Sequence, residues 1–514
     1  MEDENINNKR IAKNTLLLYG RMLFTMWISL YTSRMILDIL GVVDFGIYNV
    51  VGGVIALMWA LNGALSTSTT RHITFELGTG NIHRLSLVFR TSLTIHTLIG
   101  ILIIIICETI GLWFMCTQLV VPPERMEAAQ WVYQFSLFSM VLTVLSVPFN
   151  ACIVAHEKMQ AYAYISIIDT ILKLAVVFIL EWIPFDKLIV YALLYFLTQL
   201  VIQILYMTYC KSQFPEVQIS FVWNKPLLKT MASFTGWNLI GSGSALLMSQ
   251  GHSIILNQFF GPVVNAAKGI ANQVQGMVTK FSGNFQMALN PQIFKSYATQ
   301  NLEYMHKLIY ASSKYSYFMI FILSLPISIE SKEILELWLK IVPENTNSFL
   351  RLILLTSAVN ALANPLVIGA QATGKIKMFQ SIEAFVLLLI LPFTYISALW
   401  GASPVIAFYI YLIFHIIAVI ARLTILHTLI RISYHTYIAK VVIPILLVSS
   451  FSTTTGIFFH LSINNGTFIS SLLVCSITFL STICYTYIFG LDQEEKAFVK
   501  SKSKDILYKI NIRS

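Results

Sequence analysis

About fourteen apolar runs, each of roughly 18 residues or more, divide this chain of 514 residues. Wound as a helix, a run of that length matches the hydrocarbon thickness of a bilayer. The runs lie at approximately 14–37, 45–68, 88–114, 129–154, 161–183, 188–209, 230–257, 264–289, 308–329, 348–371, 378–399, 403–426, 441–461 and 467–489. Little polar sequence is left from which a soluble domain could be built. Composition agrees: 56% of residues are apolar and only 11% charged, with a mean hydropathy of +0.73. A soluble domain carries about 25% charged residues, and a globule's surface grows too fast with size for this much apolar side chain to be hidden from water. The expected fold class is an all-α polytopic membrane protein. A water-soluble enzyme, a nucleic-acid reader and a disordered chain are excluded.

The start, MEDENINNKR, is polar and mixed in charge, and the first apolar run continues for about 25 residues without a small-residue cleavage site. It reads as a retained helix rather than a signal peptide. The six cysteines, Cys107, Cys116, Cys152, Cys210, Cys475 and Cys484, form no CxxC pair and no metal-ligand spacing with histidine, so no cofactor or metal is expected. Five of them lie in or beside apolar runs, where free cysteine behaves as a small hydrophobe.

Lysine and arginine orient the spans, because cytoplasmic loops hold them in excess. With the N-terminus inside, inner loops and the tail hold 24 of the 34 cations, among them Lys158, Lys314, Lys375 and Arg422. Outer loops hold five: Arg125, Lys187, Lys332, Lys340 and Arg351. This alternation predicts an even number of spans and both termini in the cytoplasm. It also accounts for most of the net charge of +10, which is then matched to anionic lipid headgroups rather than to nucleic acid.

The two halves resemble each other. Lys13 to Gly20 reads K-N-T-L-L-L-Y-G, and Lys229 to Gly236 reads K-T-M-A-S-F-T-G. Later, Pro148 to Met159 reads P-F-N-A-C-I-V-A-H-E-K-M, and Pro365 to Lys375 reads P-L-V-I-G-A-Q-A-T-G-K. In both, alanine follows the proline by seven residues (Ala155, Ala372) and lysine by ten (Lys158, Lys375). Matches in the same order and on the same membrane side predict two pseudo-symmetric six-helix lobes. The expected organisation is a cytoplasmic N-terminus at 1–12, a first lobe at 13–210, a linker at 211–228 and a second lobe at 229–430. Two additional spans at 431–489 and a basic tail at 490–514 complete it.

Charges within spans are costly and are functional candidates by default. The first span carries Arg21, Arg34 and Asp38. Arg34 and Asp38, four apart, can pair on one helix face or snorkel to the headgroups. Asp169 and Lys173 repeat that spacing in the fifth span. Glu383 in the eleventh and His96 in the third stand alone, and either could bind a coupling proton. The eighth span shows Lys268, Asn272, Gln275, Thr279, Ser282 and Gln286 at spacings of three and four, widened by Lys280 and Asn284. The seventh adds Asn238, Ser242, Ser244, Ser249, Gln250 and His252. Such a polar stripe is expected to line water. Five span residues are cationic, so a cavity that they face would attract anions.

The pattern N-T-L-L-L-Y-G-R, the turn L-G-V-V-D-F-G-I-Y-N-V-V and the six-plus-six-plus-two layout resemble the Wzx-type polysaccharide and O-antigen flippases. These belong to the multidrug/oligosaccharidyl-lipid/polysaccharide exporter superfamily. The resemblance covers roughly residues 10–490 and is strongest over 13–80. It implies a V-shaped transporter of the bacterial inner membrane working by alternating access. The implied substrate is an undecaprenyl-diphosphate-linked oligosaccharide, an O-antigen, capsule or exopolysaccharide repeat unit, with glycan-assembly proteins as partners. It also implies cavity cations on the diphosphate, with Arg21, Arg34, Lys268 and Lys280 as candidates by their place in the spans. Asn238, Asn272, Gln275, Thr279 and Gln286 would line the cavity, and Asp38, Asp169, Lys173 and Glu383 would serve coupling or structural ion pairs.

Alternatives remain. A related branch flips the peptidoglycan precursor lipid. A cation or multidrug antiporter of the same superfamily would favour central acids, and the seventh span has none. A membrane glycan polymerase would want a large outer loop with catalytic residues, yet the longest outer loops, near 115–128 and 330–347, are short. No GxxxxGK[ST], GxSxG, HExxH or CxxC motif occurs, so no enzyme is expected. A passive scaffold for glycan assembly is the remaining rival.

Overall fold

The computed structural model describes residues 2–56, 59–118, 122–339, 342–463, 466–493, 495–497 and 500. Among them there are helices and turns but no strand. In a bilayer only helices and closed barrels satisfy every backbone polar group.

The helices of the first half are α1 (Glu2–Ala56), α2 (Trp59–Thr79), α3 (Ile82–Ile106), α4 (Leu112–Gln118), α5 (Met126–Ala155), α6 (Met159–Trp182) and α7 (Lys187–Gln213). Then come α8 (Lys225–Phe260), α9 (Pro262–Ala298), α10 (Leu302–Ile329), α11 (Ser331–Trp338), α12 (Thr346–Thr373), α13 (Lys377–Leu388) and α14 (Ile390–Leu399). The last are α15 (Pro404–Ile430), α16 (Tyr434–Tyr437), α17 (Ile443–Ile463) and α18 (Phe468–Tyr485). α1 is broken at Gly41, where φ is +75°, a conformation that costs glycine nothing. This break falls in the glycine-based turn predicted between the first two spans.

Ten stretches among the described residues are long and apolar enough to cross a membrane. They fall on the third to sixth and ninth to fourteenth predicted spans. The predicted spans 14–37 and 45–68 lie on α1 and α2, and 230–257 and 264–289 lie on α8 and α9. The described residues of these intervals are helical, but the intervals are not among the ten. In α8 and α9 the reason is the polar stripe itself, which lowers the hydropathy of any window containing it.

The chain forms two compact units. The first comprises residues 1–243 and 287–301; the second comprises 244–286 and 302–514. Within the first, α5 is central and packs on α2, α3 and α7, while α1 runs along α6. Val132, Tyr133, Leu137, Met140 and Val144 of α5 are buried against Ile103, Cys107 and Leu188, and Phe149 meets Phe89 edge-on with centroids 5.5 Å apart. Lipid tails are as apolar as leucine, so such packing holds the helices through close van der Waals fit rather than through escape from water.

Within the second unit, α12 packs between α10 and α15, and α17 and α18 pair with each other and lie on α10. Gly456 of α17 has no room for a Cβ, which would collide with Ile329 and meet Thr478. The small residue sets that close approach.

Pro148 and Pro365 lie inside α5 and α12, and both helices end on the same backbone geometry nine residues after the proline. Glu157 has φ +57° and Gly374 has φ +76°. Glu157 N–H donates to the Val154 carbonyl at 3.0 Å and Gly374 N–H to the Gln371 carbonyl at 3.0 Å. A non-glycine residue in the left-handed region costs about 1–2 kcal/mol, so the first repeat tolerates a strain that the second avoids.

Lys314 and Arg422, counted above with the inner loops, are buried inside helices. Lys314 is buried within α10 and bonds Glu495 at 2.7 Å; Arg422 is buried within α15 and bonds Glu383 at 2.5 Å. Both lie inside the predicted spans 308–329 and 403–426, and each helix carries its charge because the charge finds a partner.

Candidate functional site

Three helices of the first unit carry polar side chains at alternating spacings of three and four, each stripe lying along one helix face. On α5 the stripe is Ser136, Ser139, Thr143, Ser146 and Asn150. On α6 it is Tyr162, Ser166, Asp169 and Lys173, and on α7 it is Tyr195, Gln199 and Tyr206, with the apolar Ile202 between the last two. All face one cavity of about 650 Å³, completed by Tyr48, Asn62 and Ser66.

Several α5 hydroxyls are occupied by their own helix. Ser139 donates to the Phe135 carbonyl at 2.7 Å, Thr143 to Ser139 at 2.9 Å and Ser146 to Thr143 at 2.7 Å. This back-bonding satisfies the hydroxyl proton and leaves the oxygen lone pairs as acceptors.

The charges sit on α6. Lys173 Nζ bonds Asp169 Oδ2 at 2.8 Å and lies 5.1 Å from the centre of the Tyr195 ring. The other oxygen, Asp169 Oδ1, is buried without a hydrogen-bond partner among the described residues, as are Asn62 Oδ1 and Asn150 Oδ1. Arg21 of α1 reaches the same wall. It donates to Ser166 at 3.2 Å, and its guanidinium lies 4.8 Å from the centre of the Tyr162 ring. Two cations thus stand against one carboxylate, among three unsatisfied acceptor oxygens and four tyrosine rings. The arrangement can accept donors such as sugar hydroxyls, stack flat rings against aromatic faces, and hold an anion beside Arg21.

The expected residues of the second unit behave differently. Lys268 is buried and donates to three neutral acceptors: the Ser249 carbonyl at 3.2 Å, His252 Nδ1 at 3.1 Å and Ser253 Oγ at 2.8 Å. His252 packs against Phe408 and Tyr411. Ser253 also lines a smaller cavity of about 370 Å³ with Asn257, Gln258 and Asn265. Gln275 donates to Ser357 at 2.8 Å, and Gln286 donates to Ser316 at 2.9 Å. Thr279 donates to the Gln275 carbonyl of its own helix at 2.9 Å. Asn272 and Lys280 are exposed. The α9 stripe is therefore divided: Lys268, Gln275 and Gln286 turn onto neighbouring helices of the second unit, and Asn272 and Lys280 do not.

Glu383, read from sequence as standing alone, is paired with Arg422. His96 is buried and bonds the Ser92 carbonyl at 2.7 Å. Asn238 is buried in the part of α8 that belongs to the first unit, and Asp38 is exposed. The Arg34 side chain lies outside the described residues. Among the described residues no group of histidine, cysteine and carboxylate side chains could hold a metal ion.

Sequence reasoning weighed charges and missed the α5 stripe. The signal was there, in the alternation of Ser136, Ser139, Thr143, Ser146 and Asn150, but small hydroxyl residues barely lower hydropathy and blend into an apolar run.

Residues 19–179 match the model of the MatE family, which spans α1 through most of α6 and includes much of the cavity wall. Solved structures match most of the chain. A Vibrio cholerae MATE transporter, VcmN in the bent form, is 16% identical, with TM-score 0.71 over 84% of this chain and 98% of its own. The fold is that of the MATE transporters. An outward-facing multidrug resistance MATE family transporter of the MOP superfamily matches at 14% identity and TM-score 0.72, over 83% of this chain and 96% of its own. A MOP superfamily transporter from Pyrococcus furiosus, described as having a binding pocket of reverse polarity that suggests a different function, matches at 14% identity and TM-score 0.71, with the same coverage. No curated protein sequence matches.

Proposed function

We propose that this MATE-fold protein is a membrane transporter that moves a polyprenyl-diphosphate-linked oligosaccharide across the bacterial inner membrane by alternating access, with both termini in the cytoplasm. The observation that carries the reading is the cavity of the first unit. Its walls are hydroxyls, amides and tyrosine rings, and its charge balance is two cations to one carboxylate. Sugar hydroxyls suit the acceptor oxygens of Asn62, Asn150 and Asp169, sugar faces suit the tyrosines, and Arg21 suits a phosphate oxygen. A diphosphate cannot cross hydrocarbon unaided, and a guanidinium replaces part of its water shell. The polyprenyl tail needs no site, since lipid accommodates it.

The test is complementation of a flippase-deficient strain, with lipid-linked intermediates assayed on each leaflet. Restored surface glycan, lost again in Arg21→Ala with the intermediate accumulating on the inner face, is the expected result. Failure of the intact chain to restore glycan in strains of several different repeat units would sink the reading.

A second reading rests on Asp169, a carboxylate on the cavity wall whose buried Oδ1 has no hydrogen-bond partner among the described residues. Such a group suits an antiporter of cationic drugs, and one of the solved structures with this fold is described as a multidrug resistance transporter. The polarity ascribed to the Pyrococcus furiosus protein is a reason not to infer substrate charge from the fold. Drug resistance conferred by the chain and lost in Asp169→Asn, with Arg21→Ala unaffected, would favour the antiporter.

A further inference from the structure

We propose that Glu157 is a latch: its carboxylate fastens the end of α9 and the start of α1 to the turn between α5 and α6, and its release frees residues 287–301 to move. That this movement belongs to a transport cycle rests on the reading above; the latch itself does not.

The carboxylate is 1% exposed. Its Oε1 accepts from Lys295 Nζ at 2.5 Å and from Gln292 Nε2 at 2.8 Å. Its Oε2 accepts from Arg10 at 3.4 Å, and the Glu157 carbonyl accepts from Asn14 at 3.2 Å. Two helices distant in sequence thus converge on one side chain, and all these residues belong to the first unit.

The backbone gives the reason to look for a function. Glu157 holds a left-handed conformation at the position where the second repeat has Gly374. Glycine would make this turn without strain. The turn alone therefore does not call for a glutamate; its carboxylate does, by gathering donors that glycine could not hold.

α9 is weakest beside the latch. Its residues up to Gln286 belong to the second unit and those from Met287 onward to the first. Pro291 lies inside the helix and has no N–H to offer the Met287 carbonyl, four residues back. The backbone bond missing from the helix is thus the one at the division, and Gln292 and Lys295 lie on the turn just beyond it. Beyond the latch, the segment is held by apolar packing, with Ala288, Leu289, Ile293 and Phe294 buried and Lys295 and Ala298 close against Gly78 of α2, and by a tilted contact of Tyr297 with Phe75; the carboxylate supplies its ionic fastening. The donors are also ready for water: Lys295 is 22% exposed and Arg10 48%. The turn is anchored independently, because His156 bonds Glu216 at 2.5 Å and stacks on Phe214. It can stay in place while α9 leaves.

Hydrogen exchange of the full chain in lipid nanodiscs, without substrate, tests this. In E157G, which relieves the strain and removes the carboxylate, exchange across 287–301 should rise by about tenfold or more while α7 is unchanged. E157Q, which keeps the size and removes the charge, should move the same segment in the same direction. The charge exchange E157K with K295E should restore slow exchange. Unchanged exchange of 287–301 in E157G and E157Q would overturn the latch. So would a rise spread evenly over the first unit, which would make Glu157 a structural clamp. Because no substrate is present, either result is separate from the outcome of complementation.

Discussion

The Asp169–Lys173 pair of the first unit and the charges Lys268, Arg422 and Glu383 of the second are placed in opposite ways. The first places Asp169 and Lys173 on a cavity wall, each side chain about a quarter to a third exposed, with hydroxyls and tyrosines around them. The second packs these three away: Lys268 is enclosed by neutral acceptors and Arg422 pairs with Glu383. A charge beside an open cavity keeps some solvent and is available to a ligand. An enclosed charge can only be satisfied by what is already folded round it, so its loss falls on stability.

This contrast can be broken by substitution. The largest effect is expected at Arg422, whose removal strands the Glu383 carboxylate. Arg422→Met should lower stability by about 3–5 kcal/mol in chemical unfolding of the purified protein. Adding Glu383→Leu should recover most of that loss, because Arg422 Nε and Nη1 and Glu383 Oε2 lack partners among the described residues and the pair is imperfectly satisfied. A double variant no more stable than the single one would show that the pair does more than balance charge.

Lys268→Met comes next. It leaves His252 Nδ1 and Ser253 Oγ without their donor and should cost about 1–3 kcal/mol in the same measurement. If stability is unchanged while transport is lost, Lys268 belongs with the functional charges and the contrast between the units fails.

In the first unit, Asp169→Asn or Lys173→Met should change stability by less than about 1 kcal/mol, since the pair is partly exposed and four residues apart on one helix. Either should abolish glycan complementation. Full complementation by both would remove the cavity from the mechanism.

The smallest effect is an acid dependence outside the spans. Arg125 bonds Asp186 at 2.5 Å and also pairs with Asp44. Burial works to raise the Asp186 carboxyl, but the hydrogen bonds from Arg125 and from the start of α7 outweigh it and hold the group below the usual carboxylate range. A depressed folded value contributes stability that is complete above the unfolded titration near pH 4 and is lost as pH falls through the lower folded value. Melts between about pH 5 and pH 2 should show this limb, and it should flatten in Arg125→Gln.

Ten of the predicted spans fall on helices long and apolar enough to cross a membrane, because a helix in lipid satisfies its own backbone and its apolar length is visible without its neighbours. Hydropathy read α8 and α9 as well, yet could not say where their polar stripe points: Gln275 and Gln286 bond within the second unit while Asn272 and Lys280 stay exposed. Arg422 and Lys314 were counted with the inner loops, although they fall inside predicted spans, because the sequence does not show that Glu383 and Glu495 meet them in space. The serines of α5 were passed over because one hydroxyl stripe means little until α6 and α7 bring theirs to the same space.

What the amino-acid order determined by itself is local: membrane-spanning helices, the break at Gly41 and the repeated proline-to-lysine segments that end α5 and α12. These depend on residues a few positions apart along one chain. The tertiary structure alone decided which charges meet. Glu157 finds Lys295 and Arg10, Glu383 finds Arg422, and Lys173 shares a cavity with Tyr195 only because helices distant in sequence pack side by side, and Coulomb and hydrogen-bond energies depend on that separation in space.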